Sequence, residues 1–183
     1  GSTSVGKYIQ NAVGERDIGL TLELGGKAAN IVYNDAALDQ AVEGVVNGIF
    51  FNQGHVCCAG SRLLLQEDIH DEFINKLEKR MQTLRVGNPL DKNTDIGAIN
   101  SKEQLEKITS LVNEGVNDGG ELFQIECDLP SSGYWFRPSL FTNVQPSYNI
   151  AREEIFGPVL TTLTFRTPEE AVEIANNTEY GLS

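Results

Sequence analysis

The sequence predicts an α/β fold, a largely parallel sheet with crossover helices, and three observations predict it. Short apolar runs alternate with longer stretches whose apolar residues recur every three or four positions. The longer stretches reach ten residues or more, the length a connection needs to join two parallel strands. Gly, Pro and Asn punctuate the boundaries between them. Of 183 residues, 40% are hydrophobic and 22% charged, enough to bury a core.

The elements follow in order. Ser2 to Ala12 reads as a short helix with Val5, Tyr8, Ile9 and Ala12 on one face. Ile18 to Leu24 is a compact apolar run with strand character, ended by Gly25-Gly26, and Ala28 to Tyr33 is a second strand candidate. Asp35 can cap a helix on which Leu38, Ala41, Val42, Val45, Val46, Ile49 and Phe50 share a face. Arg62 to Gln66 reads as a strand. Asp68 starts a helix with the stripe Ile69, Phe73, Leu77, Met81 and Leu84. Asn88 to Asp91 is loop chemistry. Ser101-x-x-Gln104 is a capping box opening a helix to Val116. Glu121 to Ile125 is a short strand, and Phe136 to Val144 holds a strand interrupted by Pro138. Pro158 to Phe165 is a strand. Thr167-Pro168-Glu169-Glu170 then combines a capping box with proline at the first helical position, leading a helix to Asn176.

Charge and composition exclude several functions. A formal charge of −12 argues against nucleic acid or an anionic membrane surface as partner. No apolar run approaches the roughly 18 residues of a membrane-spanning helix, and no signal peptide stands at the amino terminus. Among the three cysteines, Cys57 and Cys58 are adjacent, which disfavours a disulfide framework. His55 and His70 have no metal-ligand spacing with them. The expectation is a reduced, intracellular, cytoplasmic protein without a metal.

Two segments carry chemistry. The run from Phe50 to Ser61 contains Cys57 directly after the amphipathic helix, and Leu22-Glu23-Leu24-Gly25-Gly26-Lys27 holds a lone carboxylate in an apolar run. A sulfur nucleophile and a general base are the two groups that make and then hydrolyse a thioester. The bland reading of a free cysteine is a small buried hydrophobe. Glu23 is either exposed by strand alternation or buried and tuned for proton transfer. Activation of a thiol, whose ordinary pKa is near ~8.5, needs stabilised negative charge or a base. Converging backbone N–H groups in the loop can supply it and hold the oxyanion formed on attack. Cys58 is expected only to pack, and Cys127 to be a bystander.

These two boxes resemble the glutamate and cysteine signatures of the aldehyde dehydrogenase superfamily. Arg152-Glu153-Glu154-Ile155-Phe156-Gly157-Pro158 matches a third motif in the expected order. So do Gly1 to Gly6, Gly87-Asn88-Pro89 and Ala175 to Leu182, and the likeness covers essentially the whole chain. The stretch Ala41 to Val46 and the loop Asp128 to Ser131 show a fainter resemblance to the branch called family 16.

The resemblance implies a Rossmann-like catalytic domain at residues 25–183, truncated at its C-terminal end, preceded at residues 1–24 by the remnant of a coenzyme-binding domain. It implies Cys57 as nucleophile and Glu23 as deacylation base, with NAD or NADP as cofactor in the complete enzyme. Glu154 and Phe156 match contacts to the nicotinamide ribose and ring. Gly1, Ser2 and Gly6 match the phosphate-contacting start of a helix. Gln104 corresponds to another ribose contact, though its capping role explains it equally well. His55 departs from the family, which usually has glutamine or glutamate there; it either tunes the thiol or packs, and packing is favoured. The family's asparagine oxyanion donor would lie upstream of Gly1. The substrate would be a small-molecule aldehyde and the parent a homo-oligomer, with the isolated segment inactive. A non-catalytic scaffold module of the same fold and a CoA-acylating dehydrogenase are the rivals.

Overall fold

The computed structural model describes residues 1–183. Its elements are α1 (Thr3–Val13), β1 (Ala29–Val32), α2 (Leu38–Phe50), β2 (Arg62–Gln66), α3 (His70–Met81), α4 (Lys102–Asn117), β3 (Glu121–Gln124), β4 (Ser139–Thr142), α5 (Asn149–Arg152), β5 (Val159–Phe165) and α6 (Pro168–Asn176). The strands form one sheet in the order β1-β2-β5-β4-β3. Every pairing is parallel except β3 with β4. This is the largely parallel α/β sheet that the alternation predicts.

Side chains alternate across the sheet with the period of two that a strand imposes. Leu63, Leu65, Leu140 and Leu160 enter one core with Val42, Val45, Val46 and Ile49 of α2 and Phe73, Leu77 and Met81 of α3. Leu64, Phe141, Val159, Leu163 and Phe165 enter the other, against Ile108 and Val112 of α4, Ile150 of α5 and Ala171 of α6. Helices thus cover both faces, as buried parallel strands require. No helix is long and apolar enough to cross a membrane.

Several local expectations change. Residues 18–24 form no strand: the nearest pairing is an isolated bridge between Gly26 and Leu182, and Ile18 and Leu20 stay exposed. A strand exists only where a second backbone satisfies its N–H and C=O groups, and apolar content alone does not provide one. Asp35 does not cap α2; Ala37 occupies that position without a side-chain hydrogen bond. A 3-10 turn, Glu67–Ile69, precedes α3. Pro138, lacking an N–H, sets the start of β4 at Ser139. The one-turn helix α5 carries no periodicity long enough to be read from sequence. Two caps stand as expected: Ser101 Oγ accepts from Gln104 N at 3.1 Å, and Thr167 Oγ1 from Glu170 N at 3.3 Å.

Candidate active site

Three segments converge on Cys57. The first is its own loop. After α2 the chain enters a 3-10 turn, Phe51–Gly54, in which Asn52 (φ 50°), Gln53 (φ 57°) and Gly54 (φ 73°) are all left-handed. Such geometry costs a non-glycine residue about 1–3 kcal/mol and persists only where its surroundings enforce it. Here Asn52 Nδ2 donates to the His55 carbonyl at 3.2 Å, and Gln53 Oε1 accepts from Gly97 N at 3.0 Å. A side chain on Gly54 would strike the Gly157 carbonyl, so this loop lies directly on the loop bearing Glu154. Cys57 is half-buried, and its amide donates to no backbone carbonyl. Cys58 is exposed, contrary to the expectation that it packs, because the chain turns outward at this pair. Cys127 is half-buried at the edge of the core beneath α2 and α3.

The second segment is Leu22 to Lys27. Gly25, Gly26 and Lys27 are buried, whereas Glu23 is exposed. Glu23 is exposed, though not by strand alternation, since residues 18–24 form no strand, and the buried carboxylate of the other alternative is not present in this chain. A Cβ on Gly26 would collide with the Cys57 carbonyl and lie 2.8 Å from that of Leu182. Cys57 therefore touches, through its backbone, the segment carrying Glu23.

The third segment is Glu153 to Gly157. Glu154 Oε1 accepts from Gly26 N at 3.1 Å, and a Cβ on Gly25 would lie 2.5 Å from Glu154 Oε2. The carboxylate fills the space that the absent side chain of Gly25 leaves and is tied there by the Gly26 amide. Phe156 is left-handed (φ 55°). Helix α4 fastens this backbone at three successive carbonyls: Lys107 Nζ donates to Glu154 O at 2.6 Å, and Gln104 Nε2 to Ile155 O at 2.8 Å and Phe156 O at 3.0 Å. The Gln104 side chain, expected to close a capping box, is turned to this loop instead. The Phe156 ring stacks on His55, centroids 5.2 Å apart and planes 5° from parallel. His55 packs, as favoured from sequence, and burial lowers its pKa below the ordinary histidine value.

Beneath these segments lies a buried pair of cations that sequence reading missed. Lys27 Nζ donates to the Ile150 carbonyl at 3.0 Å. Arg62 donates to the carbonyls of Lys27 (2.8 Å), Ile174 (3.0 Å) and Ala175 (2.8 Å). Burial first, and then the charge of Arg62, lower the Lys27 pKa to about 7, while Glu153 and Glu154 act in the opposite sense. The signal in the sequence is a lone lysine between Gly26 and Ala28-Ala29. It ties the glutamate segment to α5, the turn leading into Glu154.

Gly1, Ser2 and Gly6 lie at the start of α1, beside Glu23: Gly1 N donates to the Glu23 carbonyl at 2.8 Å. Ser2 is the N-cap, its Oγ accepting from Val5 N at 3.4 Å. The Gly6 amide is already bonded to the Ser2 carbonyl at 2.9 Å. A Cβ on Gly6 would lie 2.7 Å from the Leu24 side chain, so its bareness lets the helix close on Leu24. The arrangement sets a half-buried cysteine against the segment that carries the exposed Glu23, and a second carboxylate against Gly25, two residues before the Phe156 ring. The first pair suits acyl chemistry; the second suits a ligand carrying hydroxyls and a planar ring.

A family model described as the aldehyde dehydrogenase family matches residues 1–183. Retinal dehydrogenase 2 of Taeniopygia guttata is 46% identical over 186 residues, covering all of this chain and 35% of that protein. The putative aldehyde dehydrogenase DhaS of Bacillus subtilis is 43% identical, covering all of this chain and 37% of that protein. The chain thus spans about a third of the length of these relatives. Among solved structures, the NAD-dependent aldehyde dehydrogenase from Sinorhizobium meliloti superposes with a TM-score of 0.95 at 42% identity, over 98% of this chain and 36% of that one.

Proposed function

Because the chain belongs to the aldehyde dehydrogenase family, we propose that it supplies the thiol, the base and part of the coenzyme cradle of an enzyme that oxidises an aldehyde to a carboxylic acid. Residues 25–183 are its catalytic domain and residues 1–24 the end of its coenzyme-binding domain. Every buried hydrophobic residue lies at position 28 or later, which supports that division.

The observation that carries this reading is the half-accessible Cys57, in a strained loop whose backbone rests on the Glu23 segment. Its Sγ, after losing the thiol proton to solvent, adds to the aldehyde carbon, and the Cys57 amide, unclaimed by any backbone carbonyl, donates to the resulting oxyanion. That carbon then gives up its hydrogen as hydride, which leaves a thioester on Cys57. NAD or NADP, when bound, supplies the hydride acceptor. Glu154 Oε2, against Gly25, and the Phe156 ring suit the hydroxyls and flat ring of that coenzyme. The capped start of α1 suits its phosphates, through Gly1 and Ser2 and with Gly6 keeping the helix close. Glu23 takes a proton from water, which attacks the thioester carbon; the carboxylic acid leaves and the Cys57 thiol is restored.

In the full-length enzyme Cys57→Ala should abolish aldehyde oxidation; undiminished turnover would overturn the assignment. Glu23→Gln should retain a burst of reduced coenzyme and stall afterwards. Turnover that requires CoA would favour acyl transfer over hydrolysis, and tight NAD binding by the 183-residue chain alone would contradict its expected inactivity. We place the full-length protein inside the cell, where three free thiols stay reduced, as a homo-oligomer of the family type.

A further inference from the structure

We infer that His55 is a positioning residue: its imidazole, stacked on Phe156, fixes the plane that the phenyl ring presents to the coenzyme. The inference rests on the coenzyme reading above and adds a residue that does not itself touch the ligand.

The backbone of Phe156 has little freedom. Gln104 and Lys107 hold the carbonyls of residues 154, 155 and 156, and a Cβ on Gly157 would press within 2.5 Å of Ile108 on the same helix. What remains free is rotation of the ring about its side-chain torsions. Phe156 is half-buried, so solvent would otherwise leave that rotation open. The His55 ring removes it by lying parallel, 5.2 Å away between centroids and 5° off plane, the geometry of an offset stack.

The imidazole is present for its face. Its Nε2 is buried without a hydrogen-bond partner, so that nitrogen neither bonds the Cys57 sulfur nor anchors another group. Burial disfavours the charged form of the ring, so the contact with Phe156 is one of two flat faces. His55 is itself held, since its N–H donates to Asn52 O at 2.9 Å and its carbonyl accepts from Asn52 Nδ2. The left-handed turn that leads to Cys57 therefore also holds the backbone from which the His55 ring projects.

The test is steady-state kinetics of the full-length enzyme with varied coenzyme, on His55→Phe, His55→Leu and His55→Ala, with the rate of Cys57 alkylation by iodoacetamide as a separate readout. His55→Phe keeps a flat face and should hold the coenzyme KM within about twofold of wild type. His55→Leu, of similar bulk without a flat face, and His55→Ala should raise it about three- to tenfold, the range an aromatic pair accounts for. The kcat and the alkylation rate should move less. Unchanged coenzyme KM in both His55→Leu and His55→Ala would overturn the inference. So would His55→Phe failing as badly as His55→Ala, or alkylation slowing in step with KM, since either result assigns the role to the ring nitrogens. A wild-type protein with no coenzyme-dependent oxidation would overturn the proposed function itself, a different outcome from a healthy enzyme indifferent to His55.

Discussion

Helices α1 and α2 carry the same kind of apolar stripe and meet opposite fates. On α2, Val45 and Ile49 are each 1% exposed, sealed against the sheet and α3. On α1, Val5 is 50%, Tyr8 74% and Ile9 38% exposed, and only Gly6 is buried. Periodicity states which face of a helix is apolar; it does not state what lies across from that face. The contrast extends along the chain. Residues 18–24 share the apolar character of a strand but gain no partner, whereas β2, equally apolar, is flanked by β1 and β5 and completely buried over Leu63 to Leu65.

That contrast can be broken by mutation. Ile49→Ala should cost about 2–5 kcal/mol through the lost methylene groups and the cavity left behind, measured by denaturant unfolding; a loss below about 1 kcal/mol would mean that α2 is not sealed. Gly26→Ala sits where the two regions join. Its Cβ would meet the rigid carbonyls of Cys57 and Leu182, so a loss of about 1–3 kcal/mol is expected, together with a displaced thiol seen as altered alkylation of Cys57.

Lys27 sharpens the comparison through pH. Its folded pKa, about 7, lies below the ordinary 10.5. Between those values the unfolded chain binds more protons, so this group makes stability rise with pH through that window. Below pH 7 both states are protonated, and the cost of burying the charge is borne in full. Lys27→Met should flatten the rise measured from pH 7 to 10, and an unchanged slope would show the lysine to be solvated. The smallest effect is expected at Tyr8→Ser on the open face of α1, within about 0.5 kcal/mol in this chain. A loss comparable to Ile49→Ala would mean that α1 is docked after all.

Much of the candidate site can be nominated from sequence because its residues are chemically unusual for their surroundings. Cys57 stands among loop residues after an amphipathic helix, and Glu23 is the one charge in an apolar run. The structure brings Glu154 onto Gly25 and Gly26, joining two motifs 128 positions apart. Hidden from view were the supports. Gln104 had a local explanation as a capping residue, and Ser101 does cap α4, but the glutamine amide spans to the Phe156 loop. Lys27 and Arg62 look like surface cations until burial is known, since Lys and Arg are rarely enclosed without partners. The strand predicted at 18–24 failed for the complementary reason: its local pattern was right, and the backbone it needed was not beside it.

The chain's own order of residues determined the longer helices, the caps at Ser101 and Thr167, the strand alternation that gives the sheet two apolar faces, and the identities of the candidate reactive groups. These depend on neighbours within a turn or two, where propensity, sterics and short-range hydrogen bonding act. Tertiary structure decided which apolar faces are covered, which lysine loses its water, and that His55, Phe156, Cys57 and Gly26 share one small volume. Burial, desolvation and stacking arise between segments distant in sequence, and they take values only once the sheet has set where each segment lies.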